Sequence, residues 1–218
     1  MQTQTDPPLL GDHHGVTPPK FDPFESRSDR DIRNALSKGF LQALETHDSS
    51  PLDSALENLS PTRAQEKWIK DRMARYTRAL SHPISDLNQP LTTAALLWDL
   101  QLFFECHEWL EDIWLGLKGE KKKALQGLIR ACGAYAMAEA SRPGPAQKSA
   151  KKAMALLKTH RDQVPKIFQV DDFLKALAQW PLPARPPRLG ILNPGTHPGQ
   201  TNTNPGSGPV RNQNPPGA

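Results

Sequence analysis

Cysteine is scarce: Cys106 and Cys132 are the two in the 218 residues. Both fall inside stretches of helical periodicity, so they form neither a disulfide framework nor a CxxC metal pattern, and a reducing, cytoplasmic compartment fits them. A signal peptide is not expected, because residues 1–15 hold no apolar run beyond Leu9-Leu10. The most apolar segment, Leu91 to Leu117, is interrupted by Asp99, Glu105, Glu108, Glu111 and Asp112, which excludes a membrane span. Period-two alternation is missing throughout, so no strand is expected. Acid is missing from Pro181 to Ala218, a stretch crowded with Pro, Gly, Asn and Thr. Such composition cannot bury enough apolar surface to offset the entropy of ordering.

What remains sets the domain plan. Residues 1–24 carry Pro7, Pro8, Pro18, Pro19 and Pro23 and share the character of the tail. The expected organisation is therefore a disordered 1–24, one folded unit over 25–180, and a disordered tail over 181–218. About 155 residues suffice for one sizeable core. The net charge of +4 is mild, and three of the tail's residues, Arg185, Arg188 and Arg211, supply most of it. The folded part is nearly neutral, so the pI of about 9.1 does not mark a nucleic-acid protein.

Apolar residues recur at helical spacing, which predicts an all-α, compact multi-helix bundle. Helices are expected over about 29–45, 52–59, 61–81, 93–117, 121–140, 146–160 and 172–179. The expected caps are Ser28 for the first, Ser60 with Pro61 for the third and Asp171 for the last. The fourth is apolar over most of its circumference, with Gln101, Glu105, Glu108 and Asp112 as a polar strip. A helix so widely apolar is central and wrapped by its neighbours. The fifth carries Gly127, Ala131, Gly133, Ala134, Ala136 and Ala138, which let another helix approach closely.

Four polar misfits concentrate the functional argument. His107 projects among Leu100, Phe103 and Trp114, and Glu111, four residues on, stacks beside it. Glu108 points towards the polar strip. Glu139 falls on the apolar stripe of the fifth helix, and Arg72 falls among Trp68, Ile69 and Tyr76 in the third. Buried charges need partners, so His107, Glu111, Arg72 and Glu139 are expected to pair within one core. Two roles are open: a buried His–Glu cluster that organises the core and lines a ligand or partner pocket, or a hydrolase-like, metal-assisted enzyme. In the second, His107 is the acid–base, Glu111 orients it and Glu108 reaches substrate.

Metal is not expected. His107-Glu108-Trp109-Leu110-Glu111 has glutamate where a zinc peptidase's HExxH has its second histidine, and paired Glu-x-x-His motifs are absent. No cofactor motif is present: phosphate-binding glycine loops, nucleophile elbows and kinase signatures are all missing. Lysines at 118, 121–123, 148, 151 and 152 read as solvated helix faces, and without interleaved aromatics they do not point to nucleic acid. The partner classes left are a small molecule or another protein.

The run Phe104-Glu105-Cys106-His107-Glu108-Trp109-Leu110-Glu111-Asp112-Ile113-Trp114, followed by Leu125-Gln126-Gly127-Leu128-Ile129, resembles the bacterial family known as domain of unknown function 309. The resemblance covers about residues 92–177, and the helices before Pro90 lie outside it. By position His107, Glu108, Glu111, Trp114 and Gln126 inherit the family's signature. Met137 stands about where members often carry a further histidine, which weakens any two-histidine metal site. The resemblance implies a compact helical bundle and no established activity. Trp114 and Gln126 thereby join Arg72 and Glu139 as candidate binding residues.

Overall fold

The computed structural model describes residues 20–82 and 89–192. Among these residues there are eight α-helices and no strand: α1 Arg27–Thr46, α2 Ser50–Glu57, α3 Arg63–Leu80, α4 Pro90–Asp99, α5 Phe103–Leu115, α6 Gly119–Glu139, α7 Pro143–Thr159 and α8 Val170–Ala178. Two single 3-10 turns, Arg161–Gln163 and Lys166–Phe168, lead from α7 into α8. None of these helices is long and apolar enough to cross a membrane.

Local chemistry sets the helix starts, several of them displaced from expectation. Ser26, not Ser28, caps α1 by accepting from the Asp29 amide at 3.2 Å. Thr62 and Gln65 form a capping box at α3, so that helix starts after Pro61 rather than at it. Pro143 and Pro145 sit in the first turn of α7, where the orphan N–H groups make proline harmless, and not in a preceding loop. Asp171 lies inside α8 and pairs with Arg161 at 2.5 Å instead of capping.

The largest departure is in the central segment. One continuous helix over 93–117 was expected, yet the chain forms α4 and α5 with a break between them. Gln101 adopts a left-handed φ of 57°. The Leu102 amide donates to the Leu97 carbonyl, and the Gln101 amide to Trp98, each at 2.9 Å. This is a Schellman closure with glutamine where glycine is usual. The turn sends the backbone in a new direction while Leu100, Leu102 and Phe103 stay buried.

Around the break sits one core. Trp98, fully buried, meets Phe103, Tyr135 and Phe173 with ring centroids 5.3, 5.2 and 4.4 Å away. Phe40 of α1 stacks on Tyr76 of α3 at 4.0 Å. Helices α6 and α7 pack closely because Gly127 leaves no side chain in the way: a Cβ there would stand 2.9 Å from Leu157.

The packed chain extends past both expected boundaries. Phe21 is buried and stacks on Trp68 at 4.0 Å. Residues 187–191 lie against α4, where Asp99 accepts from the Leu189 and Ile191 amides at 2.7 and 3.0 Å. The Trp98 indole donates to the Pro187 carbonyl at 2.8 Å. Polar anchors on α4 thus order a proline-rich stretch that its own composition could not. The rest of the disorder expected at the ends, over residues 1–19 and 193–218, lies outside the described residues.

Two glycines give a paired test of the packing. A Cβ on Gly39 would stand 2.7 Å from the Pro51 backbone oxygen, whereas on Gly133 it would meet nothing nearer than Ser149 Oγ at 3.7 Å. Alanine gains helix propensity at both positions, up to about 1 kcal/mol. Gly133→Ala should therefore stabilise by up to about 1 kcal/mol. Gly39→Ala should be a net loss of about 1 kcal/mol or more, as backbone cannot give way cheaply. Urea unfolding of the two variants checks the order.

Candidate functional site

The polar groups fall into two clusters, not one. The buried cluster centres on Arg72, which is 3% exposed, and Glu105, which is 0% exposed. Arg72 Nε lies 3.7 Å from Glu105 Oε1, and its Nη2 lies 3.6 Å from Glu139 Oε2. The Tyr76 hydroxyl donates to Glu105 Oε1 at 2.6 Å. Arg75 donates to both Glu139, at 3.1 Å, and the Gln101 carbonyl, at 2.9 Å. Burial works against the Arg72 charge, but Glu105 and Glu139 outweigh it and hold its pKa above the usual guanidinium value. Burial, and then the Glu105 charge, push the Tyr76 hydroxyl well above the ordinary tyrosine range.

Of the expected four-residue network, Arg72 and Glu139 do meet. Glu105, Tyr76 and Arg75 join them, and none of these was a candidate. Glu105 was expected on a polar strip; α3 covers it instead. The signal that could have found it is Arg72 itself, since an arginine on an apolar face demands a buried acid.

Beside this cluster opens a groove of about 960 Å³. Residues 20–24, α1, α3, α5 and α6 build it. Its apolar walls are Phe21, Phe24, Trp68, Phe104 and Ala136. Its charged lining is mostly cationic: Lys20, Arg33, Arg63, Lys67 and Arg72 against Asp71 and Glu139. The Arg33 guanidinium lies 3.8 Å from the centre of the Phe104 ring, and burial lowers its pKa. Arg63 and Lys67 have no ion-pair or hydrogen-bond partner among the described residues.

The second cluster is on another side of α5 and is less buried than expected. His107 Nε2 lies 3.4 Å from Glu111 Oε1, with the side chains 29% and 50% exposed. Nδ1 of His107 is 3.1 Å from the Ile129 carbonyl oxygen of α6. Glu108 was expected to point away, yet one donor atom from each of His107, Glu108 and Glu111 lies within 4.8 Å of the others. Burial pushes the Glu108 carboxyl above its ordinary value; Glu111 adds to this, while His107 and Arg33 oppose it. Too few converging ligands was the ground for expecting no metal, and that count is now three.

Trp114 and Gln126 stand apart from the groove. The Trp114 indole N–H is buried without an acceptor among the described residues, and Lys122 Nζ lies 3.9 Å over its ring. Gln126 is half-buried on α6. The two thiols meet in the core: Cys132 donates to Cys106 at 3.4 Å, and Cys106 to the Ala94 carbonyl at 3.2 Å. Burial raises the Cys106 pKa well above the usual thiol range, which leaves it an unreactive thiol.

Fold and sites together define an all-helical bundle with a cationic, aromatic-walled groove and a separate His–Glu cluster. Over residues 91–148 the chain matches the model of a family described as Domain of unknown function (DUF309). That segment holds α4, α5 and α6 with the His107 cluster, and less than a third of the chain. No curated protein and no solved structure matches it.

Two expectations follow from the buried cluster. Arg72→Met leaves Glu105 buried without its counter-charge and should cost about 3–5 kcal/mol; adding Glu105→Gln should recover much of that loss. Denaturant unfolding of the single and double variants is the check. The second concerns the two tyrosines, Tyr76 and Tyr135, which are all the protein has. Burial pushes Tyr135 up to about 12, and Tyr76 is raised as well. With folded values above the unfolded value of about 10, both contributions to stability are present below pH about 10. They are lost as pH rises from there through the folded values. Tyrosinate absorbance of the native protein should therefore lag well behind that of the unfolded chain, and stability should fall above pH about 10. Coincident titration curves would contradict the burial of both hydroxyls.

Proposed function

We propose that the protein is a binding protein for a small amphipathic anion, an apolar body carrying a carboxylate or phosphate, held in the groove between α1, α3, α5 and α6. The observation that carries this reading is the composition of the groove. Its volume of about 960 Å³ suits a small molecule. Phe24, Trp68 and Phe104 offer apolar contact, while Arg63 and Lys67, unpartnered among the described residues, sit on α3 at its edge. Arg72 and Glu139, two of the candidate binding residues, are among its lining. Arg72 is committed to Glu105 and Glu139, so the anion is assigned to Arg63 and Lys67 with Arg33 near by. The hydrolase-like alternative finds no support, because His107, Glu108 and Glu111 are not in the groove lining.

Isothermal calorimetry with decanoate and with decanol, a neutral molecule of similar length, tests this. Decanoate should bind once per chain and more tightly than decanol, and added salt should weaken it. Arg63→Ala with Lys67→Ala should reduce decanoate affinity by roughly tenfold. Ala64→Trp adds bulk to the groove wall without touching the buried cluster and should block both ligands. Equal binding of the two ligands, or binding indifferent to these variants, would overturn the reading.

A further inference from the structure

The end of the bundle where α5 turns into α6 carries an inference independent of the groove. Leu115 closes α5 and is 68% exposed, the most exposed large apolar side chain among the described residues. Trp114 and Leu117 beside it are half-buried. Lys118, Lys121, Lys122 and Lys123 follow in the turn and at the start of α6. The end of α7 reaches the same place, since His160 meets Glu120, and this brings Lys158 there. Lys118, Lys121 and Lys158 are exposed and have no ion-pair partner among the described residues. Lys122 Nζ lies 3.9 Å over the Trp114 ring, and Lys123 shares Glu120 with His160. Arg161 is tied to Asp171. Against these lysines stand Glu120 and Asp162, with Glu111 and Asp112 a turn further back on α5, so this end is cationic. An exposed leucine on its own needs no explanation, but one set among unpaired lysines has an amphipathic setting.

We propose that this end of the bundle docks on an anionic lipid bilayer, which it touches without crossing. Leu115 enters the boundary between headgroups and acyl chains, and the lysines meet the lipid phosphates. Apolar insertion together with charge attraction is what holds a peripheral protein on such a surface. By sequence alone these lysines are solvated helix faces. The structure adds the exposed Leu115 among them and the approach of Lys158 from α7. Charge complementarity calls for an anionic partner, and the residue types select which one. The unpaired cations are all lysines, compact charges on flexible stems that suit a fluid layer of phosphates, whereas the arginine fork suits fixed bidentate partners such as nucleic acid. A nucleic-acid backbone also offers the lysines their phosphates but gives Leu115 nothing apolar to enter.

The test is co-sedimentation of the full-length protein with two kinds of vesicle, phosphatidylcholine alone and equal parts of phosphatidylcholine and phosphatidylglycerol. The protein should pellet with the anionic vesicles and not with the neutral ones, and added salt should release it. Lys118→Gln with Lys121→Gln should weaken binding by roughly fivefold per lysine, the factor for one charge near an anionic surface. Leu115→Gln keeps helix propensity at an exposed position, so the fold is retained, and it should weaken binding by about tenfold. Lys38→Gln with Lys70→Gln removes the same charge from α1 and α3 and should leave binding unchanged. Failure to pellet with anionic vesicles, equal binding to both kinds, or binding unmoved by Leu115→Gln would each overturn the proposal. So would an equal loss with the Lys38 and Lys70 pair, which would mean adsorption by net charge. Retention by a DNA duplex in preference to the vesicles would assign the lysines to nucleic acid instead.

Discussion

The Arg72 guanidinium joins α3 to three other parts of the molecule. It sits on α3, pairs with Glu105 of α5 and Glu139 of α6, and reaches 3.4 Å from the carbonyl of Gln101 in the break before α5. A charge this deeply buried is tolerated only when its partners are in place, because an unpaired ion costs several kcal/mol. Helix α3 therefore docks in one register against the α4–α5 corner. The left-handed Gln101 is part of the same arrangement. A backbone conformation that costs about 1 kcal/mol or more turns a carbonyl outward from the helix end, and Arg72 and Arg75 meet it.

That docking also creates the groove. Phe104 on α5 and Glu139 on α6 lie in the segment matched by the family model, whereas Phe24, Arg33, Arg63, Lys67 and Trp68 precede it. One wall thus comes from the family-like part of the chain and the other from α1, α3 and the segment before them. The His107 cluster, by contrast, lies wholly inside the matched segment. The two sites therefore differ in origin: one belongs to the part this chain has in common with a family, the other arises where further helices pack on it.

Periodicity alone made the helices legible, since amphipathic spacing is a local property of the chain. The break at Gln101 was not legible, because glutamine in place of glycine leaves no mark in the sequence, and the apolar stripe of α4 runs on into α5 without interruption. Arg72 and Glu139 stood out as misfits on apolar faces, and burial with a counter-charge is what such misfits require. Glu105 escaped notice because its neighbours on the helix, Glu108 and Asp112, gave it a polar context. Its burial depends on α3, a contact across 33 positions from Arg72 to Glu105 that helical projection cannot supply. The packing of residues 187–191 was hidden for a similar reason: composition describes a segment's own capacity to fold, and here Asp99 and Trp98 provide the anchors.

The two sites are close enough in charge to influence each other. Arg33 lines the groove and also feels Glu108, one of the three residues of the His107 cluster. The Glu108 charge partly offsets that of Arg33 in the groove. Under the proposed function Glu108 therefore acts against an anion in the groove, and a neutral side chain in its place would favour that anion. The coupling runs through a partly buried guanidinium stacked on Phe104, where solvent screens less than at an open surface. Removing the Arg33 charge while keeping its apolar stem, as in Arg33→Met, would cut this link and also take one cation from the groove lining.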